Sequence, residues 1–198
     1  ACGITFQNSY NIVDHTQKGE QTPAAALGSV ADKVYFKDCR FLGRQDTLYL
    51  HGAGARVFVE NCYIEGTVDF VFGDANAYFL NCDLYMAYFT GKDNGYFTAA
   101  NTKKDDVGFV FYDCSLKADP QYAAEGGEVS LGRPWQTEIY TVTGRKPDGS
   151  SYLIEYDPSR VNPTYENTGS AVTFVGCTMD SSIKSDRWNV WTRKDADG

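Results

Sequence analysis

A short pattern centred on cysteine recurs along this chain and limits what the chain can fold into. Each copy reads apolar residue, any residue, Asn, Asp or Gly, then Cys, any residue and a second apolar residue. The cysteines at the centres of the copies are Cys39, Cys62, Cys82, Cys114 and Cys177. The first two intervals between them are nearly equal and match one unit, whereas the last two are longer and contain insertions or further units. Phe6-Gln7-Asn8-Ser9 is an additional copy with Ser in the Cys position.

The positions of the apolar residues indicate the shape of one unit. They lie three residues before the cysteine, at the cysteine and two residues after it, so an odd step is followed by an even one. Because inward-facing residues of a strand differ by two, the chain must bend before the cysteine. Asn, Asp and Gly at that point tolerate the left-handed backbone of a corner. The pattern predicts an all-β fold, a parallel β-helix whose stacked cysteines are buried as thiols rather than paired in disulfides.

Composition argues against several classes of partner. The chain has 198 residues, is 42% hydrophobic and 22% charged, and carries a net charge of −8. Because no Lys/Arg cluster offsets that charge, we expect no nucleic-acid partner. No stretch approaches the roughly 20 apolar residues of a membrane span, so we expect no membrane association. The histidines lack metal-ligand spacing, and we expect no metal.

We expect one β-helix domain over residues 1–198. Neither end of the sequence carries an evident solenoid cap, which suggests a fragment of a longer chain that lacks terminal coils. Residues 143–170 are rich in Gly, Pro, Ser, Asp and Asn, which predicts a long loop excursion from the solenoid.

Two carboxylates lie in register with the cysteine repeat. Asp46 follows Cys39 by seven residues, and Asp69 follows Cys62 by seven residues. The two side chains should therefore stack on consecutive coils, about 5 Å apart. At that distance two carboxylates do not both ionise easily, so one stays protonated as an acid and the other stays ionised as a nucleophile or base.

The neighbouring residues strengthen a catalytic interpretation of this pair. Asp69 lies among Val and Phe, where an ionised side chain needs a partner. The amide of Gln45, next to Asp46, could donate to a developing oxyanion. Further along the chain, Arg133 offers a guanidinium for an ionised Asp, and Trp135 offers an indole that could stack on a sugar ring.

Three motifs in order resemble the pectin methylesterases. They are Gln45-Asp46-Thr47-Leu48-Tyr49, Gly66-Thr67-Val68-Asp69-Phe70-Val71-Phe72-Gly73 and Leu131-Gly132-Arg133-Pro134-Trp135, and Trp188-Asn189-Val190-Trp191 is similar to the family's late tryptophan motif. The resemblance implies a right-handed parallel β-helix with an open cleft for polygalacturonate. It also implies hydrolysis of galacturonate methyl esters to carboxylate and methanol, without metal or cofactor, by a secreted, extracellular monomer whose partner is pectin.

The resemblance also implies roles for individual residues. Asp69 would be the nucleophile, and Asp46 would be first the general acid and then the general base. Arg133 would position Asp69 and keep it charged. Gln45 would be an oxyanion donor, and Gln21, which lies close to one coil earlier and two residues before the usual place of the family's upstream glutamine, is the candidate for the second donor. The residues that would line the sugar subsites are Tyr49, Phe72, Trp135 and Trp191.

Two alternatives remain open from the sequence. A β-helix esterase or thioesterase could act on another acyl compound, and the orientation of the tryptophans relative to the cleft would distinguish it. A solenoid could also bind polyuronate without turnover. Methanol release from methylated pectin separates these possibilities.

Overall fold

The computed structural model describes residues 1–10, 22–89, 94–125, 128–135, 139–145, 151–161 and 168–189. Successive strands visit three parallel sheets in turn, so each coil contributes one strand to each sheet. The first sheet contains β1 (Thr5–Gln7), β4 (Arg40–Leu42), β7 (Tyr63–Gly66), β10 (Asp83–Met86), β13 (Ser115–Ala118) and β18 (Thr178–Met179). The second contains β2 (Leu27–Ser29), β5 (Leu48–Leu50), β8 (Val71–Gly73), β11 (Asn94–Ala100) and β14 (Glu128–Gly132). The third contains β3 (Val34–Lys37), β6 (Arg56–Glu60), β9 (Asn76–Leu80), β12 (Phe109–Tyr112) and β17 (Val172–Val175). The predicted parallel β-helix is confirmed.

The corners before the cysteines have the backbone conformation that the pattern predicts. The residue before each repeat cysteine has a positive φ, between 51° and 65°. Short polar side chains and glycine adopt this conformation at low cost, which is why they recur there. We call these five residues the corner column: Asp38, Asn61, Asn81, Asp113 and Gly176.

Four of the five repeat cysteines are buried in the interior as predicted, and Cys177 is half-buried. Cys39, Cys62, Cys82 and Cys114 are at most 2% exposed. The amide of Cys39 donates to the Sγ of Cys62 at 3.3 Å, and the amide of Cys82 donates to the Sγ of Cys114 at 3.4 Å. All six cysteines of the chain are free thiols. The thiols therefore pack as small apolar groups that also accept backbone hydrogen bonds across coils.

Aromatic and aliphatic side chains fill the rest of the core. Phe79, Phe111 and Phe174 stack on successive coils, with ring centroids 4.3 and 4.8 Å apart. Burial of each such side chain contributes about 1.5–3 kcal/mol relative to leaving it in water. Because side chains of one kind lie above each other, a shift of one residue between coils would misplace a whole column. The core thus fixes the register that positions the corners.

Residues 143–170 differ in part from the predicted loop. A two-stranded antiparallel sheet, apart from the three parallel sheets, pairs β15 (Ile139–Arg145) with β16 (Ser151–Val161). Residues 143–145 and 151–161 of the predicted excursion thus form strands that lie outside the three parallel sheets. Gly, Pro, Ser, Asp and Asn make up half of the whole stretch, but residues 151–156 are rich in Tyr, Leu and Ile, which favour strands.

One short helix, α1 (Pro120–Ala124), is present in the described residues. The side chain of Asp119 caps it by accepting from the amide of Gln121 at 3.0 Å. Tyr122 is 1% exposed and donates its hydroxyl to the carbonyl of Ala87 at 3.3 Å. Within the described ranges, no helix is long and apolar enough to cross a membrane.

Candidate active site

Asp46 and Asp69 occupy equivalent corners on two successive coils. Both have a left-handed backbone, with φ of 62° and 52°. The amide of Asp46 donates to the carbonyl of Val68 at 3.0 Å, and the amide of Leu48 donates to the carbonyl of Phe70 at 2.8 Å. These bonds tie the two corners together, so the predicted register of the two acids is confirmed. We call Asp46 and Asp69 the cleft column.

The loop that carries Asp69 depends on a close approach at Gly66. A Cβ at this position would overlap the side chain of Phe70, so only glycine lets the chain fold back so tightly after β7. On the coil before, the buried hydroxyl of Thr47 donates to the carbonyl of Glu65 at 2.9 Å. Backbone and side chain together hold the Asp69 loop against its neighbour.

Arg133 binds both carboxylate oxygens of Asp69 through one edge of its guanidinium. Nε donates to Oδ1 at 2.9 Å, and Nη2 donates to Oδ2 at 2.6 Å. Arg133 follows the last residue of β14, Gly132, where a Cβ would overlap the hydroxyl of Thr98 on β11. The absence of a side chain at Gly132 lets the strand lie close enough for the two-point contact. The predicted Arg–Asp pair is present.

The two carboxyl groups have different environments. Burial raises the pKa of Asp46 to about 7, the negative charge of Asp69 adds to the rise, and Arg133 opposes it. Burial also raises the pKa of Asp69, which is 5% exposed, but there the hydrogen bonds and charge of Arg133 directly oppose the rise. Burial disfavours the charge on Arg133, yet Asp69 outweighs burial and raises the guanidinium pKa, so Arg133 stays protonated. The arrangement favours an ionised Asp69 beside a protonated Asp46.

A cleft of about 230 Å³ opens above the two acids. Its lining contains two carboxyl groups, a guanidinium, an indole and a side-chain amide. The cleft therefore offers charge, hydrogen-bond donors and aromatic surface together. The residues that line it are Pro23, Gln45, Asp46, Asp69, Phe72, Ala99, Arg133 and Trp135.

Three of the four aromatic residues predicted for the sugar subsites form one cluster. The rings of Tyr49 and Phe72 stack with centroids 4.5 Å apart and planes inclined by 11°. Trp135 meets Phe72 edge to face, at 5.6 Å and 69°. The cluster places an aromatic wall beside the acids, where sugar rings could stack on it. Two predicted residues, Trp191 and Gln21, lie outside the described residues.

Sequence reasoning missed Tyr96 and Asn189. The guanidinium carbon of Arg133 lies 4.2 Å from the ring centroid of Tyr96, and the side-chain amide of Asn189 donates to the Tyr96 hydroxyl at 3.2 Å. Tyr96 lies in the interval between Cys82 and Cys114, which is longer than the two intervals before it. Because that interval contains an insertion, counting from the cysteines does not place Tyr96 opposite Arg133.

The described residues provide no group of three or more His, Cys, Asp or Glu side chains that could hold a metal ion. The cation beside the acids is a guanidinium, and it takes up both oxygens of Asp69. A carboxylate held by a guanidinium beside a carboxylic acid is a pair that can carry out nucleophilic attack and proton transfer.

Comparison with known proteins identifies the family. A family model described as Pectinesterase matches residues 3–144. Pectinesterase 31 of Arabidopsis thaliana is 38% identical over 134 residues, which cover 67% of this chain and 37% of that protein. Pectinesterase A of Emericella nidulans is 40% identical over 135 residues, which cover 64% of this chain and 36% of that protein. The chain thus spans little more than a third of the length of these curated relatives.

Solved structures agree with the family match. Pectin methylesterase from carrot superposes with a TM-score of 0.67 at 26% identity, covering 96% of this chain and 49% of that one. A pectin methylesterase in complex with a hexasaccharide superposes with a TM-score of 0.65 at 24% identity, covering 97% of this chain and 65% of that one, and supports the fold. The family match over most of the chain, the shared β-helix and the paired aspartates agree, and the chain belongs to the pectinesterase family.

Proposed function

We propose that this chain carries the catalytic site of a pectin methylesterase, which hydrolyses methyl esters of polygalacturonate to carboxylate and methanol. The observation that carries the proposal is the cleft column itself. Asp69 is held at two points by Arg133, and Asp46, with a pKa raised to about 7 by burial, lies on the adjacent coil. A carboxylate beside a carboxylic acid is the pair that acyl transfer with a poor leaving group needs.

In the first step the Asp69 carboxylate attacks the carbonyl carbon of the ester. The carbonyl electrons move to the oxygen, and the amide of Gln45 stabilises the resulting oxyanion. Gln21 is the proposed second donor. When the tetrahedral intermediate collapses, the bond to methoxide breaks and Asp46 gives its proton to the departing oxygen, so methanol leaves and an acyl anhydride with Asp69 remains.

In the second step Asp46, now a carboxylate, removes a proton from water. The hydroxide attacks the anhydride carbonyl, the bond to Asp69 breaks, and the galacturonate carboxyl group is released. Asp46 is protonated again and Asp69 is a carboxylate again, so the cycle closes without any other reactant. Arg133 keeps Asp69 a good leaving group in this step because it stabilises the carboxylate form.

The aromatic cluster is the proposed substrate-binding surface. Tyr49, Phe72 and Trp135 present ring faces and edges beside the acids, and sugar rings stack on such surfaces regardless of their ester state. Trp191 is proposed to extend this surface. Because the substrate is a polymer outside the cell, we further propose that the protein acts extracellularly.

Methanol release from highly methylated pectin tests the proposal. We expect release by the protein and none above background by the Asp69→Asn variant. Parallel assays with an aryl acetate and an acyl thioester measure the alternative acyl substrates. Release from pectin with negligible turnover of the other two supports the proposal, whereas turnover of those substrates alone contradicts it. Pectin binding without methanol release would favour a non-catalytic binding solenoid.

A further inference from the structure

The face of the Arg133 guanidinium is covered by a buried tyrosine. Tyr96 on β11 is 7% exposed, and its ring centroid lies 4.2 Å from the guanidinium carbon. At the surface of the solenoid, Arg40 lies over Tyr63 at the longer distance of 5.2 Å. A cation over an aromatic face is attracted more strongly where water is excluded. The contact with Tyr96 therefore constrains the plane of the Arg133 guanidinium.

Tyr96 is itself held by the chain segment that follows Trp188. The side-chain amide of Asn189 donates to the Tyr96 hydroxyl at 3.2 Å, and the backbone amide of Asn189 donates to the carbonyl of Gly132 at 3.0 Å. One step earlier, the amide of Leu131 donates to the carbonyl of Arg187 at 2.7 Å. Asn189 thus ties the ring of Tyr96 to the strand that presents Arg133.

We infer that Tyr96, held by Asn189, is a positioning residue that fixes the plane of the Arg133 guanidinium so that its Nε and Nη2 both meet Asp69. An arginine side chain has several rotatable bonds, and a two-point contact requires its planar group in one orientation. A ring on the guanidinium face selects that orientation before substrate binds. The segment Arg187–Asn189 then acts on the nucleophile side of the cleft through Tyr96 and Arg133.

Loss of the Tyr96 ring should change the pKa of Asp69, because two opposing effects set that pKa. Burial raises the pKa of Asp69, and Arg133 opposes the rise. The charged or titratable groups that act on Arg133 are Asp69, Tyr96 and Asp46. If the guanidinium leaves its two-point contact for part of the time, less opposes the effect of burial, and Asp69 holds its proton to still higher pH. Since only the carboxylate attacks, the acidic limb of the pH–rate profile moves to higher pH.

The test is the Tyr96→Leu variant, and its kinetic part rests on the proposed function. We expect the acidic limb of kcat/KM to move up by about one pH unit, which is a tenfold lower rate on that limb. KM for pectin should change less than twofold, because Tyr96 does not line the cleft. Tyr96→Phe keeps the ring and should stay within about threefold of the unsubstituted protein. A limb that does not move in Tyr96→Leu overturns the inference.

A matched control separates positioning from loss of stability. Tyr122 is also a buried tyrosine with a hydroxyl hydrogen bond, but its hydroxyl donates to Ala87 and its ring packs edge to face on Tyr88 rather than on Arg133. Tyr122→Leu should lower the melting temperature as Tyr96→Leu does, and leave the acidic limb in place. An equal shift of the limb in both variants would mean that loosened packing, not positioning, is responsible.

A direct titration keeps the inference distinct from the proposed function. Carbon-13 NMR of labelled aspartate side chains, assigned with Asp69→Asn, reports the protonation of Asp69 without substrate. A higher midpoint for Asp69 in Tyr96→Leu supports the inference even if no methanol is released, whereas an unchanged midpoint overturns it even in an active enzyme.

If Tyr96→Leu does not fold, a double-mutant cycle takes its place. Asn189→Ala should raise the Asp69 midpoint in the otherwise unsubstituted protein, by less than one pH unit. In the Tyr96→Phe background the same substitution should have no effect, because the hydroxyl that Asn189 holds is gone. Equal effects of Asn189→Ala in both backgrounds would overturn the role of the hydrogen bond.

Discussion

The corner column and the cleft column share one backbone conformation but differ in how deeply their side chains are buried. Asn and Asp residues in both have φ between 51° and 62°. In the corner column these side chains are exposed, and the amide of Asn81 donates to the side chain of Asn61 at 2.9 Å. In the cleft column Asp46 is half-buried and Asp69 is buried. Left-handed geometry therefore explains why Asn or Asp occurs, and burial decides whether the residue has a chemical role.

The order of residues within each column sharpens this contrast. In the corner column two asparagines separate Asp38 from Asp113, so no two carboxylates lie on adjacent coils. In the cleft column Asp46 and Asp69 are adjacent, and the negative charge of Asp69 adds to the effect of burial in raising the pKa of Asp46. Adjacent like charges cost free energy, and a guanidinium on one of them offsets part of that cost. The repeat avoids this arrangement at its corners and tolerates it in the cleft.

The largest expected effect is that of Asp69→Asn, which we expect to lower kcat by about 10³-fold or more. Asparagine keeps the left-handed backbone but cannot attack the ester. Methanol release from pectin measures the effect. Asp113→Asn makes the same change in the corner column and should leave kcat within twofold. A comparable loss in both variants would contradict the distinction between the columns.

Asp46→Asn should lower kcat by about 10²–10⁴-fold, the usual contribution of a general acid. In the unsubstituted protein the Asp46 pKa of about 7 should appear as an alkaline limb, because methoxide leaves poorly once Asp46 has lost its proton. Rates from pH 5 to 9 measure this limb. If the residual rate of Asp46→Asn still falls as pH rises through 7, the alkaline limb belongs to a group other than Asp46.

Arg133→Lys should lower kcat by about 10–100-fold, less than removal of either acid. A lysine ammonium keeps the charge but does not donate to both Asp69 oxygens from one plane. The acidic limb should also move to higher pH, since the weaker contact opposes less of the rise that burial causes in the pKa of Asp69. Arg40→Lys, at the surface contact with Tyr63, is the matched control and should leave the rate within twofold. A rate for Arg133→Lys equal to that of the unsubstituted protein would show that charge alone suffices.

The sequence predicts the two columns well because their residues lie at fixed distances in sequence from the repeat cysteines. Once the cysteines fix the unit, Asp46 and Asp69 must fall on adjacent coils, and the residue before each cysteine must be a corner. The repeat does not predict where Tyr96 and Asn189 lie. The last two intervals between cysteines are longer than one unit, so counting residues from a cysteine no longer gives the position of a side chain on its coil. Composition concealed the β15–β16 pair, since Gly, Pro, Ser, Asp and Asn make up half of residues 143–170, a stretch that also contains strand-forming residues. The catalytic and substrate-binding roles of the site residues, including those of Gln21 and Trp191, stay predictions.

The smallest expected effect concerns stability and has the opposite sign to the loss of activity. The pKa of Asp46 is about 7 in the folded protein, whereas an unfolded aspartate titrates near pH 3.9. Below about pH 4 Asp46 is protonated in both states, so it carries no penalty. Between about pH 4 and 7 the unfolded chain loses this proton while the folded chain keeps it, so stability falls over that range and levels off above pH 7, where both states are ionised.

Asp46→Asn removes that ionisation while keeping a residue that accepts the left-handed corner. We therefore expect the variant to gain about 1–2 kcal/mol of unfolding free energy at pH 8 and almost nothing at pH 4, equivalent to roughly 2–4 °C per kcal/mol in Tm. Thermal unfolding at both pH values measures the difference. Asp113→Asn, in the exposed corner column, should show no pH-dependent gain, because water already solvates that carboxylate. If Asp46→Asn gains the same unfolding free energy at both pH values, the gain comes from packing and not from the ionisation of Asp46. Burial would then not be the property that separates the two columns.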